Sequence, residues 1–475
     1  MCSTRFEDLP EQVVEQTKDY ILDCIGTTMG SYAVPEGKVI ASLGEEFGEG
    51  SEATILPTGQ ASSAAAAAYV NAKLCNFIDN EETLFNHHHI GGTTVFPALH
   101  AGERTNATGR DLLTATVLGY EFTYRFCLNY NKMRINPEGS LDFAQSSGLG
   151  FNSISAAVAA GKVFGLDVNQ MRNSMGIAGY YITIPIIYKF HFTTPFNMMK
   201  YQDMGWFAMS GLMAALFARK GYTGDLEILD DYGDNSLWKV FGMLEFDFDR
   251  MTRNLGQTWG IMEMGLKAYP CCRWYHTPIY MLRQLMDTNG LEPDDIREVV
   301  VGVHPLVASS EAYRRVGNWS ATETKDAVSS QFSLQYNLAC AAHGVPPGPQ
   351  WQLPETLNNP RLAAFCDKVK VVVDERCEQK MVAYILSGQE LGKVLTQVNY
   401  TLILRTRHGE YKDTADYIYG DSNDALHRLD RPTIIDKFRQ NCSTVASIST
   451  IDSVIDAVYN LDSLDSVRQL SGLFR

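Results

Sequence analysis

The stretch Ala61–Ala72 (ASSAAAAAYVNA) decides the fold class of this chain. Alanine has the highest helix propensity, and its short side chain lets neighbouring helices approach closely. Similar small-residue segments recur at Ile154–Gly161 (ISAAVAAG) and Ala208–Ala218 (AMSGLMAALFA). Together the three segments predict a tightly packed helical bundle, in which they serve packing rather than chemistry.

Other patterns extend this bundle and then change character. Residues Glu11–Gly30 carry apolar side chains at helical spacing and end on a glycine, which predicts an amphipathic helix. After Leu266 the chain turns to short β-branched runs at Arg297–Val303 and Lys368–Asp374. Asn399–Arg407 alternates as a half-buried strand does, and His408-Gly409 is typical of a turn after it.

Helical patterns lie between these strands, at Thr277–Met286 and Ser333–Ala342, and return from Thr433 onward. We therefore predict a mainly α protein of two domains. A large all-helical domain comprises residues 1–265 with 425–475, and a smaller α+β domain comprises residues 266–424.

Composition narrows the function classes. A chain of 475 residues is too long for one hydrophobic core, and its 45% apolar and 20% charged content is that of a globular protein. The net charge of −15 argues against a nucleic-acid partner. Met1–Pro10 lacks the apolar core of a targeting signal, and apolar runs fall short of a membrane span. Ten scattered cysteines indicate reduced thiols, so we expect a cytoplasmic protein.

Common catalytic signatures are missing from the sequence. It contains no G-x-x-x-x-G-K-[ST] loop, no G-x-S-x-G elbow and no H-E-x-x-H pair. No G-x-G-x-x-G opens a helix after a strand, so a nicotinamide or flavin cofactor is not indicated. We expect no organic cofactor.

The first candidate for chemistry is Asn76–Pro97, predicted as a long loop between the Ala-rich helix and another helix at Ala98–Gly102. It combines acids, imidazoles and a glycine pair: Asp79, Glu81, Glu82, His87–His89 and Gly91-Gly92. Three consecutive imidazoles on an extended segment cannot all face one ion. One catalytic histidine is therefore favoured over a metal site, while a metal enzyme and a purely structural loop stay open as alternatives.

The second candidate is Pro195–Gly211, in which Lys200 precedes a predicted helix start. A cation does not complement the positive end of a helix dipole. Lysine together with free N–H groups would instead form an anion pocket. The alternative is an ordinary surface lysine.

The third candidate is Lys267–His276 (KAYPCCRWYH), which places two cations, a histidine and two thiols at the predicted domain junction. Junctions between domains commonly bind ligands. The structural alternative makes Tyr269, Cys271 and Trp274 core residues and Arg273 part of a surface ion pair.

In their order and spacing these segments resemble the MmgE/PrpD family, which includes 2-methylcitrate dehydratase, cis-aconitate decarboxylase and iminodisuccinate epimerase. The resemblance spans nearly the whole chain. It implies an all-helical large domain, an α+β lid, homodimers, a small polycarboxylate substrate, and neither metal nor organic cofactor. Its landmarks, beyond the three candidates, are Ile21–Gly30, Leu112–Arg125, Ala156–Leu166, Gly221–Leu229 and Gln331–Ala339.

Several positions depart from the family pattern. The family's D-F-D-D is Asn76-Phe77-Ile78-Asp79 here, and the histidine of K-x-x-H-x-G is Asp203. Cys272 stands where some decarboxylases have histidine, and Gln145, Ser146 and Ser147 occupy a stretch that holds a histidine in relatives. The lysines match, so the resemblance supports the substrate class better than the reaction type.

The resemblance implies a cofactor-independent lyase that abstracts a proton α to a carboxylate. Lys200 and Lys267, with Arg273, would hold carboxylates and stabilise an enediolate. His89 would act as base, with His88 as the other match in the triplet, and Asp79 would orient it. Should His89 not serve, His88, Tyr181 and His191 are next. The remaining substrate-binding candidates are Asn76, Asn80, Asp203, Cys272 and His276.

Two alternatives remain at this point. An epimerase or isomerase would return the proton to the opposite face of the same intermediate. A non-catalytic family member would bind a carboxylate without turnover, in keeping with the changed acid and base positions.

Overall fold

A computed structural model describes residues 1–84, 88–138, 141–144, 146, 148–183, 193–322, 325–422 and 424–475. These residues are mainly helical with small sheets. In the N-terminal part the helices are α1 (Glu11–Tyr32), α2 (Pro35–Glu46), α3 (Ala64–Phe77), α4 (Gly91–Thr105), α5 (Gly109–Asn129), α6 (Asn152–Val163), α7 (Val168–Tyr180), α8 (Met204–Arg219) and α9 (Leu237–Val240). Three short two-stranded antiparallel sheets accompany them within the described residues: β1 (Ala53–Ile55) with β2 (Gln60–Ser62), β3 (Tyr130–Asn131) with β6 (Glu245–Phe246), and β4 (Met133–Ile135) with β5 (Leu141–Phe143).

The small-residue helices form the centre of the bundle, as predicted. α6 packs against α8, α4 and α5, and α3 packs against α8 and α4. Their approach is close, since a Cβ on Gly211 of α8 would come within 2.3 Å of the Ser153 carbonyl oxygen. α3 begins at Ala64 rather than Ala61 because the Ser63 side chain accepts the Ala66 N–H and caps the helix.

The second part of the chain mixes helices with one mixed sheet. Its strands lie in the order β10-β9-β7-β8, with β7 and β8 parallel and the other pairs antiparallel. The elements are α10 (His276–Asn289), β7 (Ile296–Val303), α11 (Pro305–Ser309), α12 (Glu311–Gly317), α13 (Ala327–Gln331), α14 (Leu334–Ala342), α15 (Pro354–Leu357), α16 (Pro360–Cys366), β8 (Val369–Val373), α17 (Glu375–Leu386), β9 (Tyr400–Thr406) and β10 (Gly409–Ala415). The predicted strands and the turn at His408-Gly409 are confirmed.

The last helices return to the first. They are α18 (Arg431–Cys442), α19 (Ile448–Tyr459) and α20 (Arg468–Ser471). α18 packs along α1, where the Lys437 ammonium lies 2.5 Å from Asp23 Oδ1 in a buried ion pair. Within the described ranges, no helix is both long and apolar enough to cross a bilayer. The exact domain boundaries stay a prediction.

Candidate active site

The candidate site is built on residues 78–84 and 88–90, between the end of α3 and the start of α4; these residues are called the site loop below. The prediction that loop structure continues to Pro97 was wrong, because α4 already begins at Gly91. The reason is a cap that sequence spacing does not reveal: Glu82 Oε1 accepts the N–H groups of Ile90 (3.2 Å) and Gly91. The glycine pair therefore starts a helix.

Two lysines from separate parts of the chain meet on one carboxylate of this loop. Lys200 Nζ lies 2.8 Å from Asp79 Oδ1, and Lys267 Nζ lies 2.7 Å from Asp79 Oδ2. Lys200 also donates to the Asn76 carbonyl oxygen (2.6 Å) and Lys267 to the Asp79 carbonyl oxygen (3.0 Å). All three side chains are buried, so their charges interact through a medium of low polarizability.

Backbone strain accompanies this contact. Asp79 and Lys200 both have left-handed backbones, with φ of +59° and +54°. Such conformations cost energy in residues other than glycine and concentrate at functional sites. The strained residues are the two that join the loop to the segment before α8.

Asn76 and Tyr201 complete the surroundings of Asp79. Tyr201 donates its hydroxyl to Asp79 Oδ1 (3.1 Å), and Asn76 Nδ2 lies 2.7 Å from the same hydroxyl. The Asn76 amide also donates to Glu81. Tyr201 was not predicted as a site residue; its only signal in the sequence was its position next to Lys200.

His89 lies beside this cluster, against Glu81. Its Nδ1 is 2.7 Å from Glu81 Oε1, its ring stacks on Tyr201 with centroids 5.1 Å apart, and Asn152 Nδ2 holds its carbonyl oxygen at 2.7 Å. A carboxylate at Nδ1 favours the neutral tautomer with the proton there, which leaves Nε2 as an acceptor. The His89 side chain is 11% exposed, so it is more accessible than the lysines.

The charges of the cluster shift one another's pKa values. Burial alone would raise the pKa of Asp79, but Lys200 and Lys267 hold it well below its ordinary range. Burial likewise opposes ionisation of Glu81, yet His89 and Lys267 lower its pKa to about 2. Burial lowers the pKa of His89, so its imidazole is neutral near pH 7. Burial also lowers the pKa of Lys200, whereas Asp79 and Glu81 outweigh burial at Lys267 and raise its pKa.

Three other predicted residues, His88, Asn80 and Asp203, form contacts with neighbouring helices and loops. The His88 ring contacts the Tyr130 hydroxyl. The Asn80 amide donates to Asn441 (3.3 Å), and its carbonyl oxygen accepts from Lys437 of α18. Asp203 caps α8 through the Gly205 N–H (3.1 Å) and receives the Tyr69 hydroxyl (2.9 Å).

In the segment Lys267–His276, Lys267 lies at the candidate site, whereas Arg273 contacts another part of the protein and His276 contacts the backbone of the segment itself. Arg273 forms a buried ion pair with Asp421. The His276 ring is buried and lies 3.3 Å from both the Ala268 N–H and the Cys271 carbonyl oxygen, and burial lowers its pKa to about 3. Burial raises the pKa of the Cys272 thiol to about 12, so it is protonated at neutral pH.

Four of the positions named from the sequence lie outside the described residues: His87, Gln145, Ser147 and His191. Tyr181 directly follows the last residue of α7, and its carbonyl oxygen accepts the Trp206 indole N–H (3.2 Å).

Cation binding at this cluster meets a physical obstacle. Asp79, Glu81 and His89 offer ligand atoms within 4.8 Å of one another. Both Asp79 oxygens already face ammonium groups, so a metal ion would compete with two lysines. An approaching carboxylate would be attracted by the same lysines.

Comparison with known proteins places the chain among relatives. The MmgE/PrpD N-terminal domain model matches residues 1–241, and the MmgE/PrpD C-terminal domain model matches residues 269–462. The chain belongs to the MmgE/PrpD family. Among curated relatives, a cis-aconitate decarboxylase of Aspergillus terreus is 23% identical over 348 residues, covering 70% of this chain and 68% of its own. A cis-aconitate decarboxylase-like protein of Aspergillus oryzae is 23% identical over 290 residues, 58% of each chain.

Proposed function

We propose that this MmgE/PrpD protein is a cofactor-independent lyase that acts on a small di- or tricarboxylate by removing a proton α to a carboxylate. One observation carries the proposal. Lys200 and Lys267 converge on Asp79 beside an imidazole whose Nδ1 faces Glu81. The two lysines provide positive charge for a substrate carboxylate. His89 provides a neutral imidazole whose Nε2 is free of a proton and can therefore accept one.

The chemistry follows from the charges. A substrate carboxylate approaching the lysines shares their ammonium groups with Asp79. His89 Nε2 takes the proton from the adjacent carbon, and the C–H electron pair moves onto the carboxylate as an enediolate. The lysines stabilise this added charge in a water-poor environment. The electron pair then returns to carbon and expels a β-hydroxyl, which leaves as water after it accepts a proton from His89.

Loss of CO₂ is the other lyase outcome on the same residues. In this case His89 first takes a proton from solvent; a substrate carboxylate leaves as CO₂, its C–C electron pair moves into the lysine-bound carboxylate as an enediolate, and the carbon that lost CO₂ then takes the proton from the His89 imidazolium. The Aspergillus terreus relative supports this outcome, since it is a cis-aconitate decarboxylase. The changed positions Asn76, Asp203 and Cys272 leave the choice between the two to experiment.

The test is a panel of small di- and tricarboxylates, cis-aconitate included, incubated with the protein in D₂O. We expect at least one of these compounds to release CO₂ or lose water, and NMR spectra of the reaction mixture measure the change. His89→Gln should lower kcat about a hundredfold with the fold intact, the scale of removing a general base. The matched control is His343→Gln. His343 is partly buried at the end of α14, and its Nδ1 lies 2.9 Å from the Ala339 carbonyl oxygen.

Other outcomes separate the alternatives. Deuterium exchange without loss of water or CO₂ would replace the lyase by an epimerase. Saturable binding with no exchange would replace it by a carboxylate-binding protein. Normal turnover in His89→Gln would move the base to another residue.

A further inference from the structure

Glu82 is a buried carboxyl group on the opposite face of the site loop. It follows Glu81 directly and is fully buried. Its hydrogen bonds go to backbone N–H groups and not to Lys200 or Lys267. One oxygen accepts the N–H groups of Ile90 (3.2 Å) and Gly91. The other lies 3.5 Å from Cys24 Sγ of α1.

These contacts tie Glu82 to the residues that immediately follow His89. Ile90 and Gly91 supply the first free N–H groups of α4, which a carboxyl oxygen satisfies as a helix cap does. The packing around Gly91 is tight, because a Cβ on this residue would lie 2.3 Å from both Glu82 Oε2 and Cys24 Sγ. Two consecutive glutamates thus hold His89, one at its ring and one at the backbone after it.

The groups around Glu82 are acidic or neutral. The same loop contributes Glu81, α1 contributes Tyr20, Asp23 and Cys24, α3 contributes Cys75, α5 contributes Tyr120, and α4 contributes its N-terminal N–H groups. Lys437 of α18 is paired with Asp23. Burial, with Glu81 and Asp23, raises the pKa of Glu82 to about 8, against the opposing hydrogen bonds from Gly91 and Tyr120.

We propose that Glu82 is a positioning residue for His89, which fixes the first turn of α4 in its protonated form and disturbs the imidazole when it ionises. This inference rests on the proposed role of His89. Ionisation adds a third negative charge beside Glu81 and Asp23. That charge repels the Glu81 carboxylate, which lies 2.7 Å from His89 Nδ1, so the imidazole is disturbed and kcat falls.

The experiment compares Glu82→Gln with Glu82→Ala. Glutamine keeps an acceptor oxygen for both N–H groups and cannot ionise, so it restores kcat at pH 6.5 to within about threefold and removes the fall in kcat above pH 8. Alanine leaves both N–H groups without that partner, and kcat drops about ten- to a hundredfold with KM nearly unchanged, since small misplacement is costly. A merely structural residue would not move the pH profile.

A second measurement is independent of turnover. The His89 ring signals in NMR spectra of histidine-labelled protein are assigned by their loss in His89→Gln. In the wild type they should shift with an ionisation near pH 8, and in Glu82→Gln that step should be lost. If no substrate is turned over, the proposed function fails while this titration still decides the role of Glu82.

The matched control is Glu121→Gln on α5. Glu121 is also buried, and its carboxylate accepts the Gly260 N–H (2.5 Å) and pairs with Arg125. It should lose thermal stability and keep the wild-type pH profile. Wild-type kcat in Glu82→Ala, or a pH 8 step that persists in Glu82→Gln, would overturn the proposal.

Discussion

The two faces of the site loop (residues 78–84 and 88–90) carry neighbouring glutamates whose pKa values shift in opposite directions. Glu81 faces His89 and Lys267, and its pKa falls to about 2. Glu82 faces α1 and α5, and burial with Glu81 and Asp23 raises its pKa to about 8. Both carboxyls are fully buried, so burial alone does not distinguish them. The difference comes from the partners on each face, cations on one and acids on the other.

This comparison assigns different tasks to the two faces. The face with Asp79 and Glu81 holds fixed charges, which can stabilise charge that develops on a substrate. On the other face, the Glu82 carboxyl is uncharged at neutral pH and holds the backbone by accepting N–H groups. Substitutions on each face test whether the two faces act independently.

The largest effect should follow removal of the cations on the charged face. Lys200→Met or Lys267→Met should lower kcat/KM about a hundred- to a thousandfold, the scale of removing an electrostatic donor from a transition state. Steady-state kinetics on the substrate found in the carboxylate panel measures the loss. The matched control is Lys393→Met, whose partly buried ammonium pairs with Glu263 and Glu390. If the control loses as much as the site variants, the lysines act through stability alone.

A smaller effect should separate the neighbouring glutamates. Glu81→Gln replaces the carboxylate at His89 Nδ1 with a neutral amide, which can donate to Nδ1 and so favour the wrong tautomer. We expect kcat to fall about ten- to a hundredfold with little change in KM, whereas the same change at Glu82 is tolerated at pH 6.5. Kinetics of both variants at that pH measures the contrast. Equal losses would show that the two faces act as one unit.

Much of the fold could be predicted because local signals decide it. The small residues of α6 and α8 pack where helix propensity and side-chain size place them. Strand β9 alternates buried Tyr400, Leu402 and Leu404 with less buried neighbours, as the sequence pattern indicated. Helix starts were less predictable. α4 begins at Gly91 because the Glu82 carboxyl group, eight residues before Ile90, accepts the first N–H groups of the helix, and sequence spacing does not reveal that contact.

The candidate site was predicted in part for the same reason. Lys200, Lys267, Asp79 and His89 stand at recognisable motif positions, and the structure brings them together. Arg273 has a suitable charge, but its ion pair with Asp421 depends on a residue 148 positions away. Tyr201 and the opposite orientations of Glu81 and Glu82 depend on backbone direction within a loop. Sequence spacing does not specify such directions.

The smallest effect should appear in thermal stability as a function of pH. A pKa lowered in the folded protein gives stability that is present above the ordinary value of 4.5 and lost as pH falls, which applies to Glu81. A pKa raised in the folded protein gives stability that is present below 4.5 and lost as pH rises toward about 8, which applies to Glu82. The two glutamine variants should therefore depart from the wild type in opposite pH ranges.

Melting curves of the wild type, Glu81→Gln and Glu82→Gln between pH 4 and pH 9 measure this difference. Glu82→Gln should gain about 2–5 °C relative to the wild type between pH 5 and pH 8.5, because over most of that range the wild-type carboxyl ionises in the unfolded chain but not in the folded one. Glu81→Gln should be less stable than the wild type at pH 7, and the gap should narrow below pH 4.5. Parallel curves for the three proteins would mean that neither carboxyl titrates differently in the folded chain. The opposition between the two faces would then rest on geometry alone.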